Sequence, residues 1–323
     1  MKILVTGAGG FIGSHLTEFL VEKGHDVRAF VRYNSKNNWG WLENSKYKTD
    51  IEIYNGDIRD YDSVCASTKG VDIVFHLAAL IGIPYSYISP LAYIKTNIEG
   101  TYNVMQAARE NDVKRVVHTS TSEVYGTAQY VPIDEKHPCN PQSPYAATKM
   151  GADQLAISYY RSFEVPVTVV RPFNTYGPRQ SARAIIPTII SQILVGEKQL
   201  KVGNIRPTRD FNYVADTVNG FYTVGLHEKT IGDIYNLGTG KEISIGDLIN
   251  KIMEILNVNI EVVHDKGRFR ADKSEVERLM ANAEKTKGIT GWSPLFTFEE
   301  GLKITIEWIK ENVKRIKTDI YNV

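Results

Sequence analysis

The sequence predicts an α/β protein built on a Rossmann-type, doubly wound parallel sheet, and three observations carry that reading. Short β-branched runs alternate with helix-length periodic stretches through the first half of the chain. The first such run leads directly into a glycine-rich turn, Thr6-Gly-Ala-Gly-Gly-Phe-Ile-Gly13, that opens a helix. After Arg171 the alternation breaks into loops marked by Pro172, Gly177-Pro178 and Pro187, so a smaller lobe follows. Continuously apolar strands with intervening helices belong to a parallel sheet covered on both faces.

Taken in order, residues 2–6, 26–31, 51–54, 73–77, 115–119 and 167–171 read as strands. Periodic stretches at 11–22, 97–111 and 145–163 read as helices between them. A later strand-like run at 233–237 is expected to rejoin the sheet. The expected division is a dinucleotide-binding domain over 1–177, with 211–240 returning to it. A discontinuous α/β lobe is drawn mainly from 178–323. The chain has no internal repeat and no low-complexity tract.

Bulk properties narrow the partners. The 323 residues allow one large or two interleaved domains. Lys+Arg 38 against Asp+Glu 37 gives a net charge of +1, which offers no electrostatic footing for nucleic acid or a membrane surface. A hydrophobic content of 42% is ordinary for a globular protein. Cys65 and Cys139 lack ligand-like spacing, so neither a zinc site nor a disulfide framework is expected, and no metal is assigned. No apolar run reaches the ~18 residues of a membrane span. The start of the chain does not read as a signal peptide, so the expected location is cytoplasmic.

The glycine turn is the cofactor signal. Gly7, Gly10 and Gly13 supply the turn, the close approach of backbone to a pyrophosphate, and tight helix–sheet packing. The N-terminus of the following helix offers N–H donors and a positive dipole end. An acidic residue at the end of the second strand would bind ribose hydroxyls and select NAD. Here the sequence reads Val31-Arg-Tyr-Asn-Ser35. Arg32, helped by Ser35 and Asn34, suits a 2′-phosphate, which favours NADP; Arg32 stacked on adenine above a plain ribose would leave NAD possible. Asp57 after the third strand can accept from the adenine amino group. Leu77, Ala78 and Ala79 offer small residues where a cofactor would cross the sheet.

The chemical signal is a Tyr and a Lys four residues apart. Tyr145 and Lys149 share a helix face, where the ammonium can draw the phenol toward neutrality. Thr121, at a strand end, can share the same substrate hydroxyl. Glu123 is a second ionisable group two residues on, and it points to removal of a C–H proton as well as oxidation of an alcohol.

Together these motifs resemble the extended short-chain dehydrogenase/reductases, and within them the nucleotide-sugar 4,6-dehydratases. The resemblance spans nearly the whole chain. It includes His76-Leu-Ala-Ala79, Asn97-Ile-Glu-Gly-Thr101, Thr121-Ser-Glu-Val-Tyr-Gly126, Tyr145-Ala-Ala-Thr-Lys149, Arg171-Pro-Phe-Asn174, Gly177-Pro-Arg179, Arg209-Asp-Phe-Asn-Tyr-Val-Ala-Asp216 and Gly291-Trp-Ser-Pro294. It implies further cofactor contacts at Phe11, Ile12, Ile58 and Asn97, and with Tyr145 and Lys149. The segment from Arg32 to Leu42 is similar to dehydratases that act on GDP-N-acetylglucosamine and open legionaminic acid biosynthesis. Trp39 and Trp41 within it read equally as a cover for the sheet edge. Where dTDP-glucose dehydratases carry Thr-Asp-Glu this chain has Thr121-Ser122-Glu123, as GDP-mannose dehydratases and UDP-glucuronate decarboxylases do. Ser122 replaces a separate acid, so Glu123 is expected to act as both base and acid.

The resemblance implies oxidation at C4, elimination of water across C5 and C6, and return of hydride to C6. A UDP-glucuronate decarboxylase, a 4-epimerase, or a cofactor-sensing protein without catalysis are the competing readings. Substrate contacts are expected from the second lobe. Asn174 would bind a sugar or phosphate oxygen; Arg209, and Arg268 or Arg270, are candidate diphosphate partners. Family position supports Arg209 and Arg268. Arg179 is assigned to substrate or to a neighbouring subunit. Helices 97–111 and 145–163 are expected to pair across a two-fold axis as a homodimer, with a tetramer possible through the Arg32 loop.

Overall fold

The computed structural model describes residues 1–315. In the first half, β1 (Lys2–Thr6), α1 (Phe11–Glu22), β2 (Asp26–Arg32), β3 (Ile51–Gly56), α2 (Tyr61–Thr68) and β4 (Ile73–His76) follow one another. Two short helices, α3 (Ile83–Ile88) and α4 (Pro90–Tyr93), run through a π-helical turn (Ile94–Glu99) into α5 (Gly100–Glu110). Then come β5 (Arg115–Thr119), α6 (Pro144–Phe163) and β6 (Val167–Pro172). Residues 97–111 were expected as one regular helix. Instead, helix begins at Pro90, whose fixed φ and missing N–H suit a first turn, and the π turn widens the spiral around Asn97. Leu77 lies outside β4 because its N–H turns to the carbonyl and hydroxyl of Thr6.

The second half holds β7 (Asn174–Tyr176), α7 (Ile185–Leu194), β8 (Gln199–Val202), β9 (Thr208–Arg209), β10 (Phe211–Tyr213), α8 (Val214–Leu226) and β11 (Ile234–Leu237). It continues with β12 (Ile243–Ser244), α9 (Ile245–Leu256), β13 (Glu261–His264), β14 (Arg278–Leu279), α10 (Glu284–Thr290) and α11 (Phe298–Asn312).

Seven strands form one sheet in the order β11-β6-β5-β4-β1-β2-β3, and every pairing in it is parallel. The chain reverses its direction of travel between β1 and β4, and the crevice beyond the strand C-termini at such a switch point is where ligands bind. β11 joins the sheet edge beside β6, in register from Ile234↔Val169 to Leu237↔Pro172. The smaller lobe carries three short sheets: β10–β7, β12–β9–β14 and β13–β8. Residues 316–323, which the sequence assigned to this lobe, lie outside the described residues.

Two apolar layers enclose the sheet. One holds Leu4, Val74, Val104, Met105, Val116, Ala156 and Val167, beneath α2, α5 and α6. The other continues from Ile3, Val5, Leu16 and Leu20 into Ile189, Ile190, Leu248, Ile252, Leu302 and Ile306 of the lobe. A shared core of this kind couples the lobe to the sheet by burial instead of a linker.

Candidate active site

The glycine turn is built so that only backbone lies under a bound ligand. Gly7 has φ +70°, and a Cβ there would meet Ala78 N at 2.8 Å. A Cβ on Gly13 would lie 2.2 Å from the Gly7 carbonyl oxygen. Gly10 caps α1 in extended conformation with no side-chain hydrogen bond, which leaves the first-turn N–H groups to a ligand. Thr6 Oγ1 accepts from the N–H groups of Leu77 and Ala78, both at 3.1 Å, and fixes the facing loop. Between them lies a cavity of about 440 Å³ lined by Gly7, Gly10, Phe11, Ile12, Gly13, Arg32, Asn34, Leu77, Ala78, Ala79 and Lys149. These features fit a dinucleotide, whose pyrophosphate would rest on the α1 N-terminus.

Several expected cofactor residues act at one remove. Asn97 is buried, accepts from Leu80 N at 2.9 Å, and donates to Leu80 O and Thr148 Oγ1, each at 3.0 Å. Its amide thus pins the loop after β4 to α6 and does not line the cavity. Ile58 is buried against Gly100. Asp57 is taken up by Arg59, whose Nε donates at 2.9 Å and whose hydrogen bonds hold the carboxyl down at about 2.

The loop after β2 differs most from expectation. Asn34 Oδ1 accepts from the N–H of Lys36 and Asn38, and its Nδ2 donates to the carbonyls of Arg32 and Asn38. The Asn34 side chain therefore knots its own loop and has no donor left for a 2′-phosphate. Ser35 is exposed at the turn and does not line the cavity, whereas Asn38 does. Arg32 lines the cavity from an exposed position. Beyond this turn the loop closes on the glycines: Trp41 N–H donates to Gly9 O at 3.0 Å, and a Cβ on Gly40 would lie 2.3 Å from that oxygen. Trp39 lines the cavity, while Trp41 packs edge-on against Trp308. The sequence signal for Trp39 was its place in the motif that begins at Arg32, read equally as a sheet-edge cover.

The reacting side chains converge at the end of β5. Helix α6 begins with Ser143 accepting from Ala146 N and Pro144 in the first turn, which places Tyr145 and Lys149 on the inner face. Tyr145 is 7% exposed, packed with Ile83, Tyr93 and Leu80. Lys149, at 4%, donates through Nζ to the Thr119 carbonyl. Thr121 caps a 3-10 turn, Ser122–Tyr125, by accepting from Glu123 N at 3.2 Å. That turn buries Ser122 and Glu123 beside the phenol. Burial lowers the Lys149 ammonium to about 8, with the Asp153 charge opposing the fall. Burial pushes the Tyr145 phenol up; the hydrogen bond with Thr121 works against that rise and the Glu123 charge adds to it. The expectation that the Lys149 ammonium draws this phenol toward neutrality is not met in the free protein, where desolvation dominates at Tyr145 and one Lys149 donor is taken by the Thr119 carbonyl.

A second cavity of about 520 Å³ opens between α3 and the lobe. Asn174, Arg209, Arg268 and Arg270, the candidates offered by the sequence, line it together with Arg183, Lys201 and Glu275. Asn174 Oδ1 is buried without a protein hydrogen-bond partner. Arg209 feels both Glu123 and Glu275, the latter 3.5 Å from its Nη2. Arg270 Nη1 lies at the same distance from Glu275, and Arg268 pairs with Asp265 at 3.1 Å. Arg179 is not in this cleft. It lies against α1, bonding Ser14 Oγ at 3.1 Å and Glu18 at 2.9 Å, because its left-handed backbone (φ 70°) after Gly177-Pro178 turns it back to the sheet. Arg183 had no motif to announce it; only the folding of its loop brings it to the cleft. Among the described residues no cluster of His, Cys, Asp or Glu suits a metal, and no helix is long and apolar enough to cross a membrane.

A Rossmann sheet with this glycine turn, and a Tyr–Lys pair facing a strand-end threonine, define a short-chain dehydrogenase/reductase. The family model described as GDP-mannose 4,6 dehydratase matches residues 4–305, and the chain belongs to that family. It is 33% identical to the human dTDP-D-glucose 4,6-dehydratase over 324 residues, covering 96% of this chain and 90% of the relative. It is 34% identical to the UDP-glucuronate 4-epimerase of Thermodesulfobacterium geofontis, covering 98% of each. The structure of DesIV, a dTDP-glucose 4,6-dehydratase from Streptomyces venezuelae with NAD bound, superposes with a TM-score of 0.89 at 30% identity, over 98% of this chain and 99% of that one. The chain is thus an enzyme of the nucleotide-sugar 4,6-dehydratase and epimerase family.

Proposed function

We propose that the protein is a nucleotide-sugar 4,6-dehydratase that converts GDP-N-acetylglucosamine to its 4-keto-6-deoxy product. The observation that carries the dehydration is Glu123, a buried carboxylate whose charge reaches both Tyr145 and the cleft arginine Arg209. Tyr145 takes the proton of the sugar 4-hydroxyl, Thr121 hydrogen-bonds the same oxygen, and Lys149 supports the phenolate. A nicotinamide dinucleotide held by Gly7, Gly10, Gly13 and Ala78 would supply the acceptor for the C4 hydride, its return to C6, and a positive ring that favours the phenolate. Glu123 then removes the C5 proton made acidic by the 4-ketone and gives a proton to the departing C6 hydroxyl, which leaves as water, Ser122 leaving it to do both; as C6 receives hydride, C5 regains a proton from solvent. Asn174, Arg209 and Arg268 hold the sugar diphosphate, with Arg270 and Arg183 as further cations.

The GDP-N-acetylglucosamine assignment, and a place in legionaminic acid biosynthesis, rest on the resemblance of the 32–42 segment. Arg32 at the end of β2, with no acid there, supports NADP; the NAD bound by DesIV supports NAD as the second reading. A second reading of the reaction, C4 epimerisation, is favoured by the likeness to the UDP-glucuronate 4-epimerase. We further assign a homodimer through α5 and α6 and a cytoplasmic location.

Product analysis decides between these. Turnover of GDP-N-acetylglucosamine in deuterium oxide is expected to give a 6-deoxy-4-keto sugar with one deuterium at C5, read by proton NMR. Glu123→Gln is expected to reduce its cofactor yet form no such product. Inversion at C4 without dehydration, or an unlabelled product, defeats the assignment.

A further inference from the structure

Behind the reacting groups lies a row of buried polar residues where parallel strands are usually apolar. Thr6, His76 and His118 share one register row across β1, β4 and β5. His118 Nε2 lies 3.2 Å from Asp153 Oδ1. The other carboxylate oxygen of Asp153 accepts from Ser120 Oγ at 2.6 Å and from Arg171 Nε and Nη2 at 3.1 and 3.0 Å. All of these side chains are buried. Arg171 also stacks over the Tyr125 ring at 4.8 Å. A buried Asp–Arg pair adds little stability over apolar residues of the same volume, so burial of the pair alone does not explain it.

Position supplies the explanation. Asp153 follows Lys149 by one helical turn on the inner face of α6. Lys149 Nζ donates to the carbonyl of Thr119, and Asp153 accepts from the next residue, Ser120. The two side chains therefore grip consecutive residues at the end of β5, the place where the 3-10 turn carrying Thr121 and Glu123 begins. We propose that Asp153 is a positioning residue for Lys149: clamped by Ser120, His118 and Arg171, its carboxylate is the fixed counter-charge that keeps Lys149 an ammonium bound at the Thr119 carbonyl. This rests on the reading of Tyr145 and Lys149 as the catalytic pair.

The other groups around Lys149 do not supply that charge. His76 on β4 and His118 on β5 are kept neutral by burial. The unpartnered Nδ1 of His118 agrees with a neutral ring that donates through Nε2. Arg171 on β6 is a cation, and Tyr145 on α6 is held as a neutral phenol by burial in the free protein. Glu123 acts on Tyr145 and Arg209. Asp153 is the one anion among the groups that raise the Lys149 affinity for a proton.

The test is the pH dependence of Lys149 acylation in the protein without substrate, read by peptide mass spectrometry, since only the free amine reacts. In Asp153→Asn the midpoint is expected to fall by about one pH unit or more. Asp153→Glu, which keeps the anion, is expected to hold the midpoint within about half a pH unit of the parent's and carries the test if the first variant does not fold. The pH profile of cofactor reduction should follow, with both limbs of Asp153→Asn displaced to lower pH, because the same charge also raises Tyr145. A folded Asp153→Asn that labels as the parent does, or merely loses activity at every pH, overturns the proposal, as does a folded Asp153→Glu whose midpoint falls by about a pH unit or more. Labelling needs no nucleotide sugar, so failure of the dehydratase assignment would appear separately, as a parent enzyme that forms no product.

Discussion

Lys149 occupies a place that suits chemistry better than folding. Its buried ammonium, lowered to about 8 by desolvation, is held by one carbonyl and the Asp153 charge. The folded value lies below that of the unfolded chain, so the folded state binds fewer protons between about pH 8 and the ordinary lysine range. Stability therefore rises with pH across that window, and is lessened by the buried charge below it. Lys149→Met is expected to abolish cofactor reduction while melting at or above the parent temperature at pH 7, with the gap narrowing above pH 8; a melting curve series checks it. Tyr145, Lys149, Thr121 and Glu123 were all legible in the sequence, because helix spacing and a strand end fix which side chains meet. The direction of the Tyr145 shift was not. It depends on how much protein covers the phenol, and only packing by Ile83, Tyr93 and Leu80 sets that.

At the scale of elements, the β1–α1 turn has no room for a side chain at Gly7 or Gly13. Gly13→Ala brings a Cβ against the Gly7 carbonyl, and is expected to destabilise the protein by about 1–3 kcal/mol and abolish dinucleotide binding by calorimetry. Removing the capping box of α11 through Thr297→Ala should cost about 1 kcal/mol and leave binding unchanged, which separates stability from function. The loop after β2 makes the next prediction. With Asn34 spent on its own loop, the proposed preference for NADP rests on Arg32. Arg32→Ala is expected to weaken NADP about 10–100-fold and NAD little, measured by titration. Equal loss for both would assign Arg32 to adenine stacking. Strand positions were legible because apolar runs and turns are local signals. The π turn was not, since its widening depends on Asn97 reaching Leu80 and Thr148 from another part of the chain.

At the scale of the molecule, the proposed homodimer rests on exposed rings of α5 and α6. Tyr102 on α5 and Tyr160 and Phe163 on α6 are 44%, 36% and 45% exposed on the two helices assigned to the dimer. Sedimentation is expected at twice the chain mass, falling to the single-chain mass for Tyr102→Glu. Unchanged mass in that variant would move the interface elsewhere. By itself the sequence determined the sheet, the glycine turn and the Tyr–Lys–Thr–Glu set, because these follow from short-range periodicity and fixed spacings. Only the tertiary structure decided the rest. It sent Arg179 to α1 and brought Arg183, Lys201 and Glu275 to the cleft. It also set Asp153 between Ser120, His118 and Arg171, behind Lys149. The direction of a long side chain from a loop, and the partner of a buried charge, depend on segments far apart in sequence that meet only when the core closes.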